Sequence, residues 1–279
     1  MTSKKSSYLF AALPLLILLL ISLTGSFFTL HDPYQQQLQN ALLPPGSDYP
    51  CGTDRYGRCI FSRLLAGAPV SILTALLLTA AAALSGTAAG LYAGYYQGSF
   101  FDKILQQLTN VILAFPGLLL ALAIAGIAGG GMLNAAAALL CSAWVPYARL
   151  VRRQTISVRQ APYLEAAKLS GCSDTEIILR YLLPIAVKPA LIMAAANMGT
   201  MLLTLSGLSF LGLGAQPPSA EWGLMISSNR SLLQTAPWTV FAPGMALFIA
   251  VCCCNFSGNA IHDLLEPEQN NLMKESKYV

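Results

Sequence analysis

Apolar residues in this 279-residue chain fall into six long runs, at about 8–28, 70–94, 105–127, 132–150, 186–209 and 239–261. A helix needs roughly 20 mostly apolar residues to cross a bilayer, so each run is predicted to be a membrane span. Between the fourth and fifth runs the pattern changes. Residues 165–184, EAAKLSGCSDTEIILRYLLP, carry Glu165, Lys168, Asp174, Glu176 and Arg180. Here the spacing predicts two short amphipathic helices. Pro162 stands where the first begins, a position that tolerates proline, and Gly171 stands where a left-handed C-cap favours glycine. Ser173 followed by Glu176 is a capping box that opens the second helix at about Asp174. Pro184 is expected to end it at the turn into the fifth span. Ala166 and Ala167 keep one face small enough for another protein to approach.

Composition agrees with this picture. The chain is 55% hydrophobic and 10% charged, with a mean hydropathy of +0.59, whereas soluble domains carry about 25% charged residues. A soluble enzyme is disfavoured, and open sheet edges could not be satisfied in lipid, so the spans must be helical. The net charge of +4 is spread through short loops and does not form the basic, aromatic-studded face of a nucleic-acid binder. With six spans and the N-terminus inside, twelve Lys and Arg residues fall on the cytoplasmic side. Only Arg55, Arg58, Arg63 and Arg230 fall outside, as the positive-inside rule requires. Both termini and residues 151–184 are therefore expected in the cytoplasm, and 29–69 and 210–238 outside. The first run, with Lys4 and Lys5 before it and no small-x-small cleavage site after it, reads as a retained helix rather than a signal peptide. Small residues crowd 79–90, TAAAALSGTAAG, which predicts close helix packing.

The chain has few chemical motifs. There is no G-x-x-x-x-G-K-[ST] phosphate loop and no H-E-x-x-H, and no nucleophile–base pair stands out. His31 and His262 are single and fall at opposite faces. Cys252, Cys253 and Cys254 point in different directions on a helix and read as small apolar packing residues. Cys51 and Cys59 share the outer loop, where a disulfide between them is one reading. Asn110, Asn134, Asn197 and Asn255 read as interhelical hydrogen-bonders. Ionisable residues within the spans are few, which argues against a proton-coupled secondary transporter, and the lack of a catalytic constellation argues against a membrane-embedded enzyme.

Three stretches carry a resemblance. EAAKLSG with Pro184 thirteen residues after Gly171 resembles the EAA loop of ABC importer permeases. GTDRYGRCIFSRLLAGAPVS (52–71) and LSFLGLGAQPPSAEWG (208–223) are similar to motifs of the dipeptide, oligopeptide and nickel branch, in its "C" type of subunit. The chain departs from that pattern at Cys51, Cys59 and Pro69. The resemblance implies an all-α polytopic membrane protein with six transmembrane helices and a cytoplasmic coupling-helix loop, the ABC type I importer fold. It divides the chain into a first helix and external loop (1–69), a five-helix domain (70–265) with the EAA loop at 151–184, and a cytoplasmic tail (266–279). It further implies a permease subunit without catalysis of its own, in a bacterial inner membrane. Expected partners are a second permease in a heterodimer, two P-loop ATPase subunits holding ATP and Mg, an external substrate-binding protein and membrane lipid, but no nucleic acid. Glu165, Ala166, Ala167, Gly171 and Pro184 are implied to couple to the ATPase. Asn197, Met198 and Met201 are candidates to line the substrate path, and no cofactor or metal is expected in the chain. Nickel or a metal chelate is the favoured substrate, with a di- or oligopeptide as the alternative.

Overall fold

The apolar runs become helices whose lengths and breaks are set by a few prolines and glycines. The computed structural model describes residues 2–265, so the tail at 266–279 lies outside the described residues. Helix α1 spans Thr2–Thr24, α2 Ile60–Tyr95, α3 Phe100–Leu113, α4 Gly117–Ala128, α5 Met132–Ala143 and α6 Val145–Val158. They are followed by α7 at Pro162–Leu169, α8 at Asp174–Glu176, α9 at Leu183–Phe210, α10 at Trp222–Asn229 and α11 at Trp238–Leu265. Among the described residues the only extended pairing is an isolated bridge between Thr53 and Cys59.

Among the described residues, three helical stretches are long and apolar enough to cross a membrane by themselves: Ile60–Tyr95, Asp174–Phe210 and Trp238–Ile261. The predicted span at 105–127 is not straight. It is α3 and α4, bent by 91° around Phe115 and Pro116, because the residue before a proline is pushed out of the helical region. The predicted span at 132–150 is likewise divided, with α5 ending at Ala143 and α6 resuming at Val145 with a proline in its first turn. The expected six uniform spans are therefore three long helices, a bent pair, a divided pair and the apolar α1.

The second and fifth spans meet their neighbours differently. Gly86, Gly90 and Gly94 form one face of α2 against α6. A Cβ built on Gly90 would stand 2.5 Å from the Ala148 carbonyl, and one on Gly94 2.6 Å from Thr155 Cβ. This is the small-residue seam that lets two backbones touch. On its other side α6 is tied to α3, the Arg152 guanidinium donating Nε to the buried Asp102 at 2.5 Å and a second N–H at 2.9 Å. Elsewhere α2, α9 and α11 share an apolar core that includes Leu18 of α1, Ile72, Ala75, Met198, Leu202 and Cys254.

The asparagines divide in role. Asn110 accepts from Arg149 and Asn197 donates to the Tyr147 hydroxyl, both between helices. Asn134, by contrast, donates to the carbonyls of Ala128 and Gly129 and so closes the turn between α4 and α5.

Candidate functional site

The helix–turn–helix after α6 is built from local rules. Pro162 occupies the first turn of α7, Glu165 lies in that turn and Lys168 in the last, each charge matched to the helix dipole. Beyond the Ser170 cap, Gly171 has φ +87°. Its N–H bonds Lys168 O at 3.0 Å, and the Cys172 N–H bonds Ala167 O at 3.1 Å, which is the Schellman pattern. Ser173 Oγ then accepts the Glu176 N–H at 3.3 Å, while Glu176 Oε2 accepts the Ser173 N–H at 3.0 Å. The capping box read from SDTE is present in both halves.

From there the expected break fails. The chain passes from α8 through a π-helical stretch, Ile177–Leu182, directly into α9. Pro184 follows that stretch directly, and the π-helical turn, in which the Leu183 N–H bonds Ile178 O, adjusts the backbone around the proline, so the helix continues rather than ending. The second amphipathic helix and the fifth span are one continuous rod, Asp174–Phe210.

The two faces of the unit have separate roles. Leu164, Ile177 and Leu182 are buried against Leu91, Tyr95, Val151 and Ala186. Ala167 is on this inner face, 7% exposed, so only Ala166 of the alanine pair presents a small surface outward. The outer face carries Glu165 and Ala166 together with Tyr163, Leu169 and Leu179, Leu169 being 90% exposed. These apolar side chains were not singled out in the sequence. Their signal is that α7 and the stretch Ile177–Leu182 offer more leucine than one buried face can use. The unit is also tied to the end of α2. Asp174 accepts from the Tyr95 hydroxyl at 2.5 Å and the Tyr96 hydroxyl at 3.0 Å. The bond to Asp174 holds the Tyr96 phenol above its usual pKa. Lys168 Nζ stands over the Tyr95 ring, 5.1 Å from its centroid.

On the other end of the bundle the two loop segments read as external fold onto each other. Trp222 Nε1 donates to Leu64 O at 3.0 Å and Trp238 Nε1 to Thr53 O at 3.3 Å. Glu221, completely buried, caps α10 by accepting the Leu224 N–H at 2.8 Å, and accepts from Ser206 of α9 at 3.0 Å and Ser71 of α2 at 3.4 Å. Burial raises its pKa, with the hydrogen bonds pulling the other way. Cys51 and Cys59 are both free, Cys59 buried. Burial, and then the proximity of Cys59, push the Cys51 thiol upward.

The residues expected along a substrate path are not on an open face of this chain. Met198 is 4% exposed inside the core, Met201 packs between two apolar clusters, and Asn197 is half-buried against Tyr147. The open face of α9 is instead the i, i+4, i+7 row Ala196, Thr200 and Leu203. The reason is helical phase, since a row one residue away faces a different neighbour.

The family of the binding-protein-dependent transport system inner membrane component matches residues 86–271. A dipeptide transport system permease protein of Alkalihalophilus pseudofirmus is 36% identical over 253 residues, covering 91% of this chain and 83% of the relative. A glutathione transport system permease protein of Pectobacterium atrosepticum is 38% identical, covering 80% and 74%. A nickel transport system permease protein of Escherichia coli is 36% identical, covering 95% of both chains. With an all-helical, multi-pass architecture and matches along most of its length, the chain belongs to the family of binding-protein-dependent transport system inner membrane components, as the permease, non-enzymatic subunit of an ABC importer.

Proposed function

We propose that this chain forms half of a translocation path with a different permease subunit, and that α7, the Gly171 turn and α8 dock on a cytoplasmic P-loop ATPase. The carrying observation is the arrangement of that unit. Its inner face is fixed to α2, α6 and α9 by Leu164, Ile177 and Leu182, while its outer face leaves Glu165, Ala166 and Leu169 uncovered. An exposed leucine beside an acidic residue on a rigid turn fits a protein groove better than a solvated connector. Two ATPase subunits, one per permease, would close on ATP and Mg and move their docked units. In this reading both termini and 151–184 lie in the cytoplasm, and an external binding protein delivers the substrate. Affinity purification of the tagged chain from its native membrane tests this: recovery of a stoichiometric P-loop ATPase supports it, and a chain that transports without one would make it a secondary carrier.

The favoured substrate is nickel or a metal chelate. In support, the nickel relative alone among the three matches end to end, at 95% of both chains. A di- or oligopeptide is the second reading, favoured by the 36% and 38% identity to the dipeptide and glutathione permeases. Uptake of radioactive nickel against uptake of a labelled dipeptide, in cells expressing the whole transporter, separates the two.

A further inference from the structure

Helix α3 exposes two edges of opposite character. Phe101, Ile104, Leu108 and Val111 are exposed along one, and Lys103, Gln106 and Asn110 along the other. Asp102, Leu105 and Thr109 are buried between them. Both edges cover the same stretch of the axis. On a helix standing across a bilayer, each depth would be met by hydrocarbon on one edge and by amides or an ammonium on the other. A helix lying along the membrane surface meets no such conflict, because its apolar edge enters the acyl chains and its polar edge stays among the headgroups. Two contacts with α6 point the same way. Asp102 is bound by Arg152 and Asn110 by Arg149. Asp102 and Asn110 are about 12 Å apart along α3, but the two arginines only about 4.5 Å apart along α6. Helix α3 therefore crosses α6 rather than running beside it, and the 91° bend lets α4 take a different course.

A cavity of about 200 Å³ opens at this crossing, walled by Gln106, Thr109 and Asn110 of α3 and by Arg149, Arg152 and Arg153 of α6. The neighbouring carboxylate is fully engaged. Asp102 accepts from the Gly98 N–H at 2.9 Å, from Gln106 Nε2 at 3.2 Å and from two N–H groups of Arg152, so the charges of Asp102 and Arg152 cancel. Arg149 uses one N–H on Asn110 Oδ1 at 2.5 Å, which leaves the Asn110 NH2 as a donor. Arg153 is exposed and makes no ion pair among the described residues. The wall thus holds two guanidiniums that no carboxylate neutralises.

We infer that α3 lies in the plane of the cytoplasmic membrane surface, and that the cavity where it crosses α6 binds the phosphate of an anionic phospholipid of that leaflet. Arg149, Arg153 and the Asn110 NH2 are the donors, and a guanidinium fork matches phosphate oxygens. Basic pockets between membrane helices on the cytoplasmic side are suited to such headgroups. A lipid fits better than a free anion, because the helix that forms one wall also carries an edge made for acyl chains. The inference shares with the proposed function only its orientation, and requires no ATPase.

Two measurements on the whole transporter, both permeases with the ATPases, test it. In the first, nitroxides are placed at single cysteines at Ile104, Gln107, Leu108 and Val111, in a background lacking the native ones, and the protein is reconstituted in nanodiscs. Ile104, Leu108 and Val111 are expected at one depth, with Gln107 open to a water-soluble relaxation agent. A depth that grows by about 10 Å from Ile104 to Val111 would overturn the in-plane helix and put the polar edge on an aqueous path. In the second, phosphatidylglycerol is titrated into the detergent-solubilised transporter, and the lipid retained is read by native mass spectrometry. Gel filtration confirms assembly of each variant. Arg153→Gln is expected to weaken retention about fivefold, and Arg149→Gln with Arg153→Gln about thirtyfold. Arg153→Lys should keep most of it, and Arg180→Gln, outside the cavity, all of it. Wild-type retention in the double variant would overturn the lipid site. Displacement of the lipid by millimolar inorganic phosphate would also overturn it, in favour of a site for a free anion. An in-plane α3 and retained lipid in a chain that recovers no ATPase would sink the docking proposal and support this one.

Discussion

Glu221 shows how much one side chain can organise here. It is buried without a cation, and its oxygens join α2, α9 and α10 through Ser71, Ser206 and the Leu224 N–H. Its pKa is raised in the folded protein, so the fold holds this proton more tightly than the unfolded chain does. The associated stability is complete below the unfolded value and is lost as pH rises through the folded one. Glu221→Gln is therefore expected to hold its Tm between mildly acidic and mildly alkaline buffer where the wild type falls, and Glu221→Ala to cost about 2 kcal/mol at mildly acidic pH by leaving buried donors unpaired, with a smaller deficit as pH rises. Thermal unfolding of the solubilised transporter across that pH range reads both; a wild-type Tm that does not change with pH would refute the first. Gly171 acts by conformation alone. A Cβ there meets no atom within 4 Å, yet φ is +87°. Gly171→Asp is expected to strain the turn by roughly 1 kcal/mol or more and to abolish ATPase pull-down and uptake while leaving membrane insertion and permease pairing intact. Glu165→Ala should move both readouts the same way but less far. Normal ATPase recovery and uptake in the Gly171 variant would reduce the unit to a surface connector.

At the scale of the element, the α2–α6 seam depends on having no side chains. Gly90→Leu would drive a branched chain into the Ala148 carbonyl, and overpacking of this kind costs typically 1–3 kcal/mol. The expected outcome is a lower Tm and poor recovery of the assembled complex, whereas Leu84→Ala, on an outward position 72% exposed, should change neither. Elements of this sort were legible in the sequence where one local rule decides. The glycine-rich run, the SDTE box and the Gly171 turn all stand as read, because caps and close approaches depend on a few neighbouring residues. Prolines were harder. Pro116 does break a span and Pro184 does not, and the difference is the π-helical stretch just before Pro184, a local backbone adjustment that the apolar pattern cannot resolve. Which row of α9 this chain leaves uncovered was illegible for a related reason. On a helix apolar on almost every side, such as α9, periodicity does not say which row is covered.

At the scale of the molecule, topology and coupling can be tested together. Single cysteines at Ser47 and Ser157, in a background lacking the native ones, should react with an impermeant thiol reagent in intact cells only at Ser47; equal labelling would overturn the orientation. The bonds from Tyr95 and Tyr96 to Asp174 tie the docking unit to the end of α2. Changing both tyrosines to phenylalanine is expected to leave ATPase binding and ATP hydrolysis in place while substrate uptake drops. Unchanged uptake would show that α9 alone carries the motion.

The same helix supplies Arg63 to the outer loops and Tyr95 to the docking unit. Its 36 residues reach about 54 Å at 1.5 Å per residue, against a hydrocarbon layer of about 30 Å. Such a beam overhangs its support on both sides. If it tips by about 10° around its middle, its two ends swing by about 5 Å in opposite directions. A seesaw of this kind cannot raise both ends, so whatever widens the mouth on one side of the membrane narrows it on the other. A path bordered by α2 at both faces would then open at one as it closes at the other.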